Sequence, residues 1–225
     1  MGGTVLPAAA LAGGSFVRMR PLCGRDGPAP VRAHAALSTI VNHSAENFKL
    51  FTEISRERVN DLIILGIDPG IATLGYGVLR KDEHGNVACE DYGVVTTPKE
   101  ENLAVRLAML EEGLGALLDK ARPDEVAVEE LFFTKNVTTG IAVAHARGVA
   151  LLTCVKRCGR LFEYTPMQIK QALTGYGKAE KRQIQLVTAN LLRLKSVPRP
   201  DDAADALAVA LCHSFTSRLS GLYKI

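Results

Sequence analysis

Residues 62–67 read Leu-Ile-Ile-Leu-Gly-Ile and stop at Asp68-Pro69-Gly70. The apolar residues do not alternate with polar ones, so as a strand this run has no face to give to water and must be covered on both sides. That excludes a sheet with one wet face and points to an α/β fold with this strand at its centre. An acid closing such a strand sits where open α/β sheets build their sites, outside the carboxyl ends of the strands.

The rest of the chain fits a mixed sheet. Residues 76–80 and 87–97 predict two strands around the turn-forming Asp82-Glu83-His84-Gly85-Asn86. Leu103, Leu107, Leu110, Leu114, Leu117 and Leu118 recur at helical spacing, so an amphipathic helix should end before Pro123. A fourth strand is expected at 125–131, a long helix over about 137–157, a fifth strand at 161–164, and helices near 166–173, 180–192 and 202–219. Three strands in hairpin-like succession, then alternating helix and strand, put the first strand beside the fourth with carboxyl ends together. The apolar runs are too short to cross a bilayer, which takes ~20 residues, so no membrane association is expected.

Residues 1–60 differ in kind. They are Gly-, Ala- and Pro-rich, sustain no alternation or helical period before about residue 45, and carry arginines after the first apolar run, unlike a secretory signal. The expected division is therefore 1–60 as a disordered extension or a stretch preceding the true start, and 61–225 as one globular domain. A chain of 225 residues can build such a domain without disulfides.

The formal net charge of +3 conceals a division. Residues 61–130 carry six basic and fifteen acidic side chains, whereas 131–200 carry twelve basic and two acidic. An acidic cluster beside a basic surface suits an enzyme that holds cations and grips a phosphate backbone; segregated solvated helix faces give the same counts. Five cysteines without paired spacing read as free thiols. Cys154 and Cys158, four apart, and Cys212 beside His213 could suggest zinc, but no second cysteine pair completes a ligand set.

Four carboxylates stand out. Asp68 ends the first strand and Glu129 ends the fourth, both among β-forming apolar residues where an uncompensated charge is costly. Asp202 and Asp205 lie three apart at the start of a helix and share a face, with alanines leaving room for close approach. Such oxygen ligands suit Mg²⁺ or Mn²⁺, and two ions ~4 Å apart form the clamp used in phosphodiester cleavage. Each acid also has a structural reading: Asp68 in a Pro-Gly turn, Asp201 or Asp202 as a helix cap. Strand alternation lets only one of Glu129 and Glu130 face the site, and spacing does not choose between them.

Five blocks in order, GIDPGIATLGYGVL, VAVEELFFTKN, HARGVALL, YTPMQIKQALTGYGKAEKRQIQ and DDAADALAVALCH, resemble the RuvC family of crossover junction endodeoxyribonucleases over about residues 62–218. The resemblance implies an RNase H-like α/β fold, a mixed five-stranded sheet flanked by helices. It also implies a cytoplasmic bacterial homodimer that nicks four-way (Holliday) DNA junctions in recombination and repair, working with the RuvA–RuvB branch-migration complex. It matches Asp68, Glu129, Asp202 and Asp205 to the catalytic, metal-binding acids, for Mg²⁺ or substituting Mn²⁺, two per site. This selects Glu129 over Glu130 and Asp202 over Asp201. An RNase H-fold nuclease with another nucleic-acid substrate is the alternative.

The same blocks supply expected DNA contacts. Phe132 matches an aromatic that stacks on junction bases, an interaction worth ~1–3 kcal/mol per base. Lys170 and Lys181 match lysines near the scissile phosphate, while Lys135, Lys178 and Arg182 are expected on backbone phosphates. The long helix over 137–157, with small residues at Gly140, Ala142, Ala144, Ala146 and Gly148, matches a region at or near the dimer contact.

Overall fold

The computed structural model describes residues 61–131, 137–216 and 225, and for 137–139 the backbone alone. The expected extension at 1–60, and the residues Phe132 and Lys135, lie outside the described residues.

The strands are β1 (Leu62–Asp68), β2 (Thr73–Lys81), β3 (Val87–Thr96), β4 (Glu125–Glu129) and β5 (Leu161–Tyr164). The helices are α1 (Leu103–Ala121), α2 (Val137–Arg157), α3 (Pro166–Thr174), α4 (Lys181–Leu191) and α5 (Asp201–Thr216). The five strands form one sheet in the order β3-β2-β1-β4-β5. β1 pairs antiparallel with β2 and parallel with β4, so the fully apolar run is central as expected.

Strand β2 starts earlier than residue 76. Its pairing with both neighbours runs down to Gly75 opposite Asp68 and Thr73 opposite Thr96, and Gly75 interrupts the strand pattern there. Strand β4 ends at Glu129, two residues short of expectation. Helix α3 begins with a capping box, Thr165 accepting from the Gln168 backbone while the Gln168 side chain returns the bond, and ends at Gly175 with φ 71°.

Both faces of the sheet are covered. Leu65, Ile67, Val126 and Val128 pack against α1 and α2 through Leu110, Leu114, Ala146 and Ala150. On the other face Ile64, Leu79 and Ala127 meet the alanine-rich α5 at Leu207, Ala208 and Leu211. Helix α5 comes unusually close. A Cβ on Gly66 would stand 2.2 Å from the Ala206 carbonyl oxygen, and one on Gly75 2.1 Å from that of Asp202. Glycine in the sheet and alanine in the helix therefore set the separation on which the site depends.

Candidate active site

Alternation along the strands decides which acids meet. In β1 residues 65 and 67 face α1 and α2, so 64, 66 and Asp68 face α5; in β4 residues 126 and 128 face α1 and α2, so 127 and Glu129 face α5. Glu130 would follow on the opposite face. Parallel pairing of Ile67 with Val128 then sets Asp68 and Glu129 side by side at the carboxyl ends of their strands. The first turn of α5 lies over the same ends, because Asp202 contacts Gly75, the partner of Asp68 in β2.

The electrostatics of this group are those of an acid cluster short of cations. Burial first, then the charges of Glu129, Asp205 and Asp202, push the Asp68 carboxyl up to about 8, against the opposing pull of Lys181. Glu129 is pushed up to about 7 by burial and Asp205, while Lys181, a hydrogen bond with Asp68 and Lys170 act the other way. Asp205 is raised by burial despite its bond to Lys181. Burial and mutual repulsion thus both disfavour the fully ionised pair. An added cation would favour ionisation of both carboxyls, and the donor set is all carboxylate oxygen, as hard divalent ions prefer.

Lys181 supplies part of that charge. Its Nζ lies 2.6 Å from Asp205 Oδ2 and 3.8 Å from Asp201 Oδ2. Burial works against the charged ammonium, but the bond to Asp205 and the charges of Asp205, Asp201 and Asp68 raise its proton affinity. Among the described residues no three His, Cys, Asp or Glu groups stand as a group that could hold a metal ion. Asp68, Glu129, Asp202 and Asp205 are nonetheless brought to one place, with Lys181 and Lys170 beside them. Lys178 and Arg182 are exposed at the rim.

Residues 64–213 match the family model described as crossover junction endodeoxyribonuclease RuvC. The chain belongs to the RuvC family. A RuvC crossover junction endodeoxyribonuclease of Finegoldia magna is 49% identical over 162 residues, covering 72% of this chain and 98% of the relative. That of Petrotoga mobilis is 55% identical over 153 residues, 68% of this chain and 93% of its own length. The structure of Thermus thermophilus RuvC superposes with a TM-score of 0.66 at 37% identity, covering 72% of this chain and 99% of that one. The T. thermophilus RuvC in complex with Holliday junction substrate gives 0.67 at the same identity, over 72% and 98%. The RNase H-like α/β architecture expected of a RuvC-family chain is the one observed.

Two features of this RuvC-family site were not read from sequence. His213, fully buried near the far end of α5, bridges Tyr164 and Glu125. Gln185, buried on α4, leaves its Nε2 without a hydrogen-bond partner. His213 carried a weak signal, a polar residue one turn after the apolar Val209 and Ala210, whereas Gln185, flanked at helical spacing by Lys181, Arg182 and Thr188, carried none.

Proposed function

We propose that this RuvC-family chain is a metal-dependent, structure-selective endonuclease. It nicks two strands of like polarity in a four-way DNA junction and leaves 5′-phosphate and 3′-hydroxyl ends. The observation that carries the reading is the placing of Asp68 and Glu129 side by side at the carboxyl ends of adjacent parallel strands, on the face that also receives Asp202 and Asp205. In this proposal those four carboxylates hold two Mg²⁺ ions, or Mn²⁺ in their place. Divalent ions bound there would supply an activated water and neutralise charge on the leaving oxygen.

The chain's own groups have separate tasks. Asp68 and Glu129, side by side at the strand ends, would hold the ions together with Asp202 and Asp205. Lys181, at the edge of the acid cluster, is placed to take charge developing on the transferred phosphoryl group, and Lys170 reinforces it from α3. Lys178 and Arg182 neutralise flanking phosphates, as Lys135 does in our reading, while Phe132 stacks on an opened base. The nuclease domain begins at Asp61.

Junction resolution needs two cuts, and the second protomer is proposed to dock on α2. Ile141, Leu152 and Val155 are each at least half exposed and, with the exposed His145 and Gly148, recur at steps of four and three. This mostly apolar stripe suits packing against a second copy, with RuvA–RuvB as the further partner in a bacterial cytoplasm. No described helix is long and apolar enough to cross a membrane.

The test compares cleavage of a four-way junction, linear duplex and an RNA–DNA hybrid in Mg²⁺. Preferential junction nicking, with products sealed directly by a ligase, supports the proposal. Equal or better cutting of the hybrid overturns it.

A further inference from the structure

Beside the acid cluster, on the far side of Lys181, is a cavity of about 460 Å³ between the first turns of α4 and α5. Lys181, Arg182 and Arg199 line it with Asp201, so three cations face one carboxylate. Leu186 and Val197 form apolar walls, and Gln185 completes the lining. Gln185 is 93% buried, given its 7% exposure, and its Nε2 has no hydrogen-bond partner. An unmade bond at a buried amide destabilises the fold, and a water or a ligand that completes it relieves that cost. Arg199 spends one nitrogen, Nη1, on Asp201 at 2.5 Å in an exposed pair, which leaves donors for a second acceptor.

We propose that this cavity is a subsite for one nucleotide of the cleaved strand, adjacent to the scissile phosphate. The phosphate lies between Arg182 and Arg199, which can grip its oxygens in bidentate fashion, and the sugar rests on Leu186 and Val197. The Gln185 amide turns toward the ligand and completes its bond there. Lys181 is the wall shared by the two chambers, so a strand whose scissile phosphate is at the acids has its neighbouring nucleotide at Arg199. The subsite thus fixes the direction in which the strand enters. This inference rests on the proposed nuclease function and assigns a site that the acid cluster does not contain.

The experiment measures equilibrium binding of a four-way junction in Ca²⁺ with the Asp68→Asn chain as parent, across a range of KCl. Adding Arg199→Ala is expected to weaken binding roughly three- to tenfold and to reduce the slope of log K against log salt by about 1, one released counterion. The side chain is mostly exposed, so the variant should fold. In a second arm a single methylphosphonate replaces each phosphate near the cut in turn. One neighbouring position should weaken the parent and have no further effect on Arg199→Ala, which locates the contact. Gln185→Leu should weaken binding while leaving Tm equal or higher, because it removes the unpartnered amide. If the arginine variant keeps the parental slope and no methylphosphonate couples to it, the subsite is wrong even though the wild-type chain cuts junctions. If the wild-type chain neither binds nor cuts junctions, the proposed function falls and the subsite with it.

Discussion

His213 Nε2 lies 2.8 Å from Glu125 Oε2, four strand residues before Glu129. On the helix, His213 is eight residues beyond Asp205. Eight helical residues rise ~12 Å and four strand residues span ~13 Å, so the His213–Glu125 bond at one end of the α5–β4 contact and the Asp205–Glu129 approach at the other are in step. The imidazole Nδ1 is 2.7 Å from the Tyr164 hydroxyl, which Thr216 Oγ1 approaches to 3.1 Å. With Nε2 donating to the carboxylate, Nδ1 accepts from Tyr164, and the chain of bonds ties α5 to β4 and β5 at once.

His213→Ala should therefore lower stability by about 3 kcal/mol, from the cavity and the two partners left unmatched. Because the register of Asp205 depends on that anchor, cleavage should slow more than junction binding weakens. Burial holds the imidazole below its ordinary 6.5, against the raising effect of Glu125 and with a further lowering by Lys81. The unfolded chain binds the proton more tightly, so this contribution is complete above pH 6.5 and is lost as the pH falls below it. Denaturant midpoints from pH 8 to 5 check this: the wild-type chain should lose stability on the acid side, and His213→Gln should lose less. Equal pH profiles would count against a buried neutral imidazole.

The acid cluster has the opposite sign. Asp68, at about 8 against an ordinary 3.8, is more easily protonated folded than unfolded, so metal-free stability is complete below about pH 4 and declines as pH rises toward 8. A tenfold change in proton affinity corresponds to about 1.4 kcal/mol, and on the order of 1–3 kcal/mol is expected across that range. Mg²⁺ or Mn²⁺ should restore it, and a chelator should remove the gain. Asp68→Asn should raise the metal-free Tm at pH 8, abolish nicking and keep junction binding. Thermal melts with and without metal, beside a gel-shift titration, measure all three.

Much of this was legible in the chain because β1 is unambiguous. An apolar strand that ends in an acid fixes the sheet's centre and one corner of the site, and the Asp202–Asp205 spacing fixes another. The choice of Glu129 over Glu130 was not available from spacing, since either parity is possible until it is known which face α5 covers. The start of β2 was hidden because Gly75, which weakens a strand pattern, is there to admit α5. The anchoring of His213 on Glu125 joins residues 88 apart in the chain, and no local pattern records it.

The close approach of α5 to the sheet makes Gly66→Ala a sharp test. Its Cβ would stand 2.2 Å from the Ala206 carbonyl oxygen and 2.7 Å from the Ala210 nitrogen, backbone atoms that cannot turn aside. The helix must shift outward, which typically costs about 1–3 kcal/mol and carries Asp202 and Asp205 away from Asp68. We expect a folded, less stable protein whose nicking rate falls well beyond its loss of Tm and recovers only partly at high Mg²⁺. Metal titrations of nicking on variant and wild type check this. A variant with normal metal dependence would mean that the acids do not depend on the helix–sheet distance.

The exposed stripe on α2 separates one active site from two. Leu152 is 53% exposed and lies between the exposed Gly148 and Val155, so Leu152→Glu removes little from the monomer's own core. Across a two-fold contact the new carboxylate would be buried near its symmetry mate, where an unpaired charge costs several kcal/mol. Sedimentation should then give a monomer where the wild-type chain gives a dimer, with an unchanged circular dichroism spectrum. On a four-way junction the variant should bind more weakly and accumulate singly nicked product in place of paired, symmetrical cuts. Dimeric sedimentation together with paired nicking in the variant would move the subunit contact off this helix.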